Sequence, residues 1–166
     1  MNIQIELISA SELADGSFNI VINDLKPRET YRVEMYLSDY YCINAPMLLS
    51  HDVLWKSAAT FVSDKNGVID MSQTPSCSGS YEGISTMGLF FNAKPLTNKR
   101  KKLPNSLSKI PLLDHFFVEI KIMQGNTVIA ERTFTRHYMS SQISHQDIYG
   151  KHFQGRLFYD KKAIKT

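Results

Sequence analysis

Residues 31–37 read Tyr-Arg-Val-Glu-Met-Tyr-Leu, and large apolar side chains occupy every second position. A period of two places successive side chains on opposite faces of an extended chain, so that one face can pack on a core and the other can face water. Residues 3–7, Ile-Gln-Ile-Glu-Leu, repeat this alternation near the N-terminus. Both stretches therefore predict half-buried β-strands.

Further strand candidates lie on either side of these two stretches and are rich in Val, Ile, Phe, Tyr and Thr, which suit a pleated surface. They are Phe18–Ile22, Val53–Ser63, Phe116–Met123, Thr127–Arg136 and Arg156–Tyr159. Turn-forming pairs separate them, and Gly125-Asn126 predicts a hairpin between two of the strands. Seven or more short strands with almost no helix predict an all-β fold, an immunoglobulin-like antiparallel β-sandwich.

Helical patterns are weak. Residues Ala45–Leu54 are interrupted by Pro46, and only a single helical turn is expected near Thr86-Met87. Asn92–Pro111 contains three prolines and predicts one long exposed loop. We expect residues 1–159 to form the sandwich and residues 160–166 to begin a linker.

Composition limits the class of protein. The chain has 166 residues, 43% of them hydrophobic and 21% charged, as expected for one globular domain. A net charge of +3 is too small to indicate a nucleic-acid partner. No apolar run reaches the roughly 18 residues of a membrane span, and the N-terminus does not resemble a secretory signal. These features predict a cytoplasmic protein.

A nucleophile in a strained turn would indicate acyl transfer. Gly79-Ser80-Tyr81-Glu82-Gly83 has the glycine spacing of a nucleophile elbow, but Tyr81 stands where serine is required. A glycine turn is therefore the favoured interpretation. Cys42 and Cys77 form neither a disulfide framework nor a C-x-x-C pair, and we expect small buried side chains rather than reactive thiolates.

The histidines do not indicate a metal site, because no two of them are two or four residues apart. They are His51, His115, His137, His145 and His152. His115 follows Asp114 and His51 precedes Asp52, so each could form an acid–base pair, although neighbours of this kind are common on surfaces. We predict no catalytic residue, no metal and no cofactor.

The basic run Lys99–Lys102 could dock an anionic partner, but a solvated loop tip is the simpler interpretation. No aromatic residues interleave with it, which argues against single-stranded nucleic acid. Phosphate-binding patterns of the G-x-G-x-x-G and Walker types are absent from the sequence.

Three sequence blocks in a fixed order carry a family resemblance. They are Trp55-Lys56-Ser57-Ala58-Ala59-Thr60-Phe61 with Asp64-Lys65-Asn66-Gly67-Val68-Ile69-Asp70, then Gly79-Ser80-Tyr81-Glu82-Gly83, then Met87-Gly88-Leu89-Phe90-Phe91 before Pro95. Together with Leu25-Lys26-Pro27 they resemble the N-terminal domain of the acyl-CoA thioester hydrolase and bile acid-CoA:amino acid N-acyltransferase family. Two positions depart from the family pattern: Phe91 replaces a usual tryptophan, and Asp24 replaces a common glycine.

The resemblance implies a role in acyl-CoA and lipid metabolism. Full-length members of the family continue into an α/β-hydrolase domain with a Ser or Cys, Asp and His triad, and residues 153–159 are similar to the segment that leads into that domain. The resemblance therefore implies a non-catalytic N-terminal domain that shapes the acyl-CoA site of a hydrolase domain beyond Thr166. A free-standing sandwich that binds protein or carbohydrate is the alternative, since a fold alone fixes no function.

The sequence predicts structural roles for two groups of residues. Trp55 and Phe61 lie on the same face of one predicted strand, and we expect them to anchor the core. Tyr81, Met87, Phe90 and Phe91 lie in a glycine-punctuated segment. They are expected either to cap the core or to form the interface with the hydrolase domain.

Overall fold

A computed structural model describes residues 2–40, 53–96 and 114–162. Several sequence predictions lie outside these ranges. They are Cys42, His51, the basic run Lys99–Lys102, most of the helical pattern 45–54, most of the predicted loop Asn92–Pro111 and the last residues of the predicted linker.

The described residues form short antiparallel strands and one helical turn. In chain order these are β1 (Gln4–Ser9), β2 (Phe18–Asn23), β3 (Thr30–Ser38), β4 (Trp55–Val62), β5 (Ile69–Asp70), β6 (Ser78–Gly79), α1 (Gly88–Phe91), β7 (Lys94–Pro95), β8 (His115–Gln124), β9 (Thr127–His137), β10 (Ile143–Tyr149) and β11 (Gln154–Asp160).

Three sheets contain these strands. The first has the order β1-β2-β5, the second has the order β6-β4-β3-β8-β9 with β7 also paired to β4, and the third is the β10–β11 hairpin. The chain passes from the first sheet to the second after β2, returns for β5 and then crosses again. Such crossovers between two antiparallel sheets are typical of immunoglobulin-like sandwiches. The predicted all-β antiparallel sandwich is thus confirmed.

The core lies between the first and second sheets. Val33 on β3 stands opposite Ala59 on β4 and Ile122 on β8, and all three side chains are buried. From the first sheet, Ile20 and Ile22 of β2 are 0% exposed. Residues of both sheets join one hydrophobic cluster. Burial of apolar area between the two sheets is the main stabilising contribution to this fold.

Arginines close one side of the sandwich, where β1 and β9 are the edge strands of the two facing sheets. The register opposite β8 places Arg132, Phe134 and Arg136 on the same face as the core residues of that strand. Arg132 Nη1 donates to the backbone oxygen of Ile5 at 2.7 Å, so that one of these arginines bridges directly to β1.

Most strand predictions agree with the structure to within two residues at either end. The predicted hairpin at Gly125-Asn126 joins β8 to β9, and Gly125 has the positive φ of +59° expected of the turn. The helical turn begins at Gly88, just after Thr86-Met87. Strand β10 was not among the predicted strands, because Ser144, His145, Gln146 and Asp147 interrupt any apolar alternation there.

Candidate functional site

The family-like segment Ser76–Asn92 lies against the β4 edge of the second sheet. Strand β6 pairs with Ala59 and Thr60. Gly79 has φ +121°, and a Cβ there would come within 2.3 Å of the Ala58 carbonyl oxygen, so the close approach of the two strands requires glycine. Mutual backbone hydrogen bonds between Ser76 and Gly83, of 2.9 and 3.0 Å, then close the loop.

Tyr81 folds back over Gly88. A Cβ at Gly88 would lie 2.3 Å from the Tyr81 ring, and the ring also packs near Phe61, with centroids 6.4 Å apart. Burial raises the pKa of the Tyr81 hydroxyl to about 12, because the phenolate would lose hydration. The tyrosine that occupies the nucleophile position of the glycine motif is therefore held neutral against the sandwich.

Met87 and Phe90 attach this segment to one end of the core. The Met87 sulfur accepts a hydrogen bond from the Phe18 backbone N–H at 3.3 Å. The Phe90 ring meets those of Phe18 and Tyr40 edge-on, with centroids 5.6 and 5.4 Å apart, and such geometry favours aromatic packing. Both side chains are partly buried against the core.

Phe91 differs from its neighbours, because its side chain is 74% exposed. The four predicted interface residues are thus divided: Tyr81, Met87 and Phe90 pack on the core, and Phe91 projects outward. An interface role for this segment stays a prediction, and Phe91 is the residue positioned to serve it.

The two predicted core anchors lie on the inner face of β4. Phe61 is 0% exposed and Trp55 is 6% exposed, and both belong to the hydrophobic cluster. The Trp55 ring meets the Tyr40 ring edge-on at 5.8 Å. Trp55 also pairs with Pro95 of β7, so the chain just after the family-like segment returns to the strand on which these two residues lie.

One acid–base pair is present at the start of β8. The His115 Nδ1 atom lies 2.5 Å from Asp114 Oδ1, and this hydrogen bond is the main cause that lowers the pKa of Asp114. His137 stands opposite His115, with ring centroids 6.1 Å apart. Within residues 2–40, 53–96 and 114–162, no hydrogen bond connects a serine or cysteine side chain to a histidine.

A cleft of about 600 Å³ lies between the sandwich and the β10–β11 hairpin. Glu12, Asp114 and His137 line it from the sandwich, and His145 and Lys161 line it from the hairpin. Acidic and basic groups are mixed along its walls. No group of three or more His, Cys, Asp or Glu side chains suited to a metal ion occurs in the part of the chain that the structure describes.

The remaining cysteine and histidine candidates for a catalytic role lie at separate places in the fold. Cys77 is an exposed free cysteine on the loop before β6, contrary to the expectation of a buried side chain. His152 lies at the tip of the β10–β11 hairpin and is exposed, and His145 packs near the Phe158 ring. Among the described residues, neither of these two histidines forms a hydrogen bond with Cys77.

A charged network on the outer face of the second sheet was not predicted from the sequence. Glu34 is 8% exposed and accepts hydrogen bonds from Arg32 Nε at 2.9 Å and Tyr36 Oη at 2.7 Å, while Lys56 Nζ lies 2.9 Å away. Burial alone would raise the pKa of Glu34, but the bonds from Lys56, Tyr36 and Arg32 outweigh it and lower the pKa. The network links β3 to β4 on this face of the sheet.

In the described ranges, no helical segment has the length and hydropathy that crossing a bilayer requires.

Comparison with known proteins adds to this geometry. The family model described as "Acyl-CoA thioester hydrolase/BAAT N-terminal region" matches residues 15–149. Acyl-coenzyme A amino acid N-acyltransferase 2 of Mus musculus is 25% identical over 112 residues, which are 68% of this chain and 24% of the relative. Acyl-coenzyme A thioesterase 3 of Mus musculus is 23% identical over 136 residues, which are 79% of this chain and 28% of the relative. The chain spans about a quarter of the length of these curated relatives.

Proposed function

Because this chain belongs to the acyl-CoA thioester hydrolase/BAAT N-terminal region family, we propose that it is the non-catalytic accessory domain of an acyl-CoA thioester hydrolase. The observation that carries this proposal is the family match across residues 15–149, which spans every strand of both sandwich sheets except β1. The names of the relatives, an acyl-coenzyme A N-acyltransferase and an acyl-coenzyme A thioesterase, indicate acyl-CoA as the substrate class.

Catalysis would belong to a separate α/β-hydrolase domain. There, a serine or cysteine would attack the thioester carbonyl, release CoA as the thiol and form an acyl-enzyme. Water would then release the free acid, or an amino acid amine would release the amide in the transferase branch. The sandwich would pack against that domain and form part of the wall of the acyl-CoA site.

Acyl-CoA hydrolysis by two purified proteins tests this proposal. One is the 166-residue chain, and the other is the complete polypeptide expressed from its own gene. Free CoA thiol is measured with a chromogenic disulfide. We expect the chain alone to release CoA no faster than buffer, and the complete polypeptide to catalyse the release.

The test has a sharp contrary outcome. Thioesterase activity of the 166-residue chain that Ser80→Ala or His115→Ala abolishes would place the chemistry in the sandwich. A complete polypeptide without hydrolase or transferase activity would instead favour the stand-alone binding module. Tyr81→Phe is the matched control, because it keeps the packed ring and removes only the hydroxyl at the motif position.

A further inference from the structure

Two histidines stand side by side on the outer face of the second sheet. His115 begins β8 and His137 ends β9, and the strand register pairs them directly. Their neighbours Phe116 and Arg136 are also paired and are 0% and 1% exposed, so the alternation of both strands turns the histidines away from the core. Spacing along the chain could not reveal this pair, because the two residues lie on different strands.

The two imidazole rings have a separation that suits one shared metal ion. Their centroids lie 6.1 Å apart, with an angle of 59° between the ring planes. When two imidazole nitrogens bind one ion at about 2.0–2.1 Å, the ring centroids lie roughly 4.5–6.5 Å apart, depending on the angle at the metal. Residues that are directly opposite on antiparallel strands have Cβ atoms about 4.5–5.5 Å apart. The backbone therefore provides the approach, and side-chain rotation can complete the site.

Asp114 prepares His115 for such a role. Its Oδ1 atom lies 2.5 Å from His115 Nδ1, and this bond is the largest cause of the lowered pKa of Asp114. The carboxylate is therefore the acceptor, and Nδ1–H is the donor. A neutral imidazole that donates from Nδ1 carries its free lone pair on Nε2. Carboxylates orient metal-binding histidines in this way and raise the basicity of the other ring nitrogen.

Backbone hydrogen bonds outside the β8–β9 ladder hold both sides of the pair. The His137 N–H donates to the carbonyl oxygen of Glu12 at 2.8 Å, and the His137 carbonyl oxygen accepts from the Ala14 N–H at 2.7 Å. The Tyr138 N–H donates to the carbonyl oxygen of Asp114 at 2.8 Å. The residues of the site are thus fixed in position before an ion binds, which lowers the cost of ordering them.

The pair is next to the cleft between the sandwich and the β10–β11 hairpin. Asp114 and His137 line that cleft, which has a volume of about 600 Å³. The described residues contain no group of three metal-binding side chains, so water would fill the remaining coordination positions of an ion held by two histidines. Imidazole ligands suit zinc, copper and nickel, whereas magnesium and calcium prefer oxygen ligands.

We propose that His115 and His137 form a binding site for a divalent transition-metal ion of the zinc and copper class, with Asp114 as the carboxylate that orients His115. Each histidine supplies one ring nitrogen. Strands β8 and β9 are joined by the turn at Gly125, and the site lies at the other end of this hairpin, where a bound ion clamps the two strands together. The inference goes beyond the proposed function and requires no second domain.

Zinc binding to the 166-residue chain, expressed without a histidine tag, tests the proposal. Competition with a chromogenic zinc indicator measures the affinity and the number of ions bound. Because loss of an outer carboxylate costs about 10–100-fold in metal affinity, we expect that loss for Asp114→Asn and at least about 100-fold for His115→Gln and for His137→Gln. His152→Gln is the matched control, because His152 lies at the exposed hairpin tip, and we expect it to bind zinc like the wild type.

Two further measurements keep the test independent of how well the variants fold. Melting temperatures with a chelator show whether each variant folds without metal, and zinc is expected to raise the melting temperature of the wild type and not that of either histidine variant. Substoichiometric Cu²⁺ locates the ion in the wild type by paramagnetic broadening of NMR signals. We expect the signals of residues 114–117 and 135–138 to broaden first.

One zinc ion per chain, lost in both histidine variants, together with copper broadening centred on this pair, supports the proposal. Equal zinc affinity in the wild type and the two histidine variants overturns it, and so does copper broadening centred elsewhere. Loss of affinity in only one histidine variant overturns the shared site. A wild-type dissociation constant weaker than about 1 mM also overturns the proposal. An Asp114→Asn variant that binds zinc as tightly as the wild type overturns the orienting role of Asp114.

Discussion

Aromatic residues in this domain differ in their contribution to stability because their burial differs. Trp55 is 6% exposed within the core, whereas Phe91 is 74% exposed one residue beyond the packed Phe90. Truncating a buried aromatic side chain removes its transfer free energy and leaves a cavity. Truncating an exposed side chain neither loses this transfer free energy nor creates a cavity.

Trp55→Ala should therefore lower the free energy of unfolding by about 3–5 kcal/mol, enough to unfold much of a domain of ordinary stability. Phe91→Ala should change it by less than about 0.5 kcal/mol. Urea titration followed by circular dichroism measures both values. Because Trp55 is the only tryptophan, its fluorescence should also resist quenching by iodide. Equal effects of the two variants would contradict the assignment of Trp55 to the core.

Position 88 requires glycine because the Tyr81 ring occupies the space of a Cβ there, and not because a turn demands it. Gly88→Ala would favour the helical turn by intrinsic propensity, yet its Cβ would collide with the Tyr81 ring. We expect a net loss of about 1–3 kcal/mol, because overpacking forces neighbouring groups to move. Gly155→Ala is the control, since a Cβ at Gly155 would meet no atom within 4 Å.

A double-mutant cycle isolates this contact. In a Tyr81→Ala background, Gly88→Ala should lose most of its cost, because the ring that it strikes is gone. The same cost in both backgrounds would mean that strain of the α1 turn, and not the tyrosine ring, requires glycine. Thermal unfolding of the four proteins provides the comparison.

At the scale of secondary structure, the charged outer face of the second sheet links folding to pH. The pKa of Glu34 is lowered in the folded chain from its ordinary value of 4.5. A carboxyl group of this kind stabilises the fold above its unfolded pKa, and that contribution is lost as the pH falls through the folded pKa. Glu34 on β3 bonds to Lys56 of the neighbouring β4, so this effect acts on the pairing of two central strands.

We expect the wild-type chain to lose more unfolding free energy between about pH 7 and about pH 3 than Glu34→Gln does. At neutral pH the variant should be less stable, because glutamine replaces the charged acceptor of three donors. Denaturant titrations across this pH range measure both effects. Parallel pH profiles for the two proteins would show that the contacts of Glu34 with its neighbours do not contribute to the free energy of unfolding.

Alternation along the chain predicted the long strands because each has one face on the core and one in water. Strand β8 is the clearest case, with buried and half-buried residues alternating from Phe116 to Ile122. The β10 strand could not be predicted in this way, because its surroundings are not one core and one solvent face. Exposure of Phe91 beside the packed Phe90 depends on tertiary contacts, which local sequence does not specify.

At the scale of the whole molecule, the side of the sandwich between the edge strands β1 and β9 is closed by a charged side chain in addition to hydrophobic residues. Arg136 of β9 is 1% exposed, and its guanidinium donates to Ser9 Oγ and to the backbone oxygens of Ser11, Leu13 and Gly16 in the connection between β1 and β2. Its carbon centre also lies 5.2 Å from the centre of the Phe18 ring. One side chain thus joins the two sheets. Burial of an arginine has no sequence signal, because strand alternation predicts a surface position or an apolar residue.

Arg136→Lys should lower the free energy of unfolding by about 2–4 kcal/mol, although the charge is kept. A lysine presents three donors from one nitrogen and cannot reach four oxygens arranged around a planar fork. Arg132→Lys is the control, because Arg132 is exposed and makes one hydrogen bond to Ile5; its cost should stay below about 1 kcal/mol. Proteolysis of the native chain should separate the variants further, with cleavage between β1 and β2 accelerated in Arg136→Lys alone. Similar losses in both variants would mean that Arg136 contributes charge and not geometry, and that the two sheets are joined by the apolar core without it.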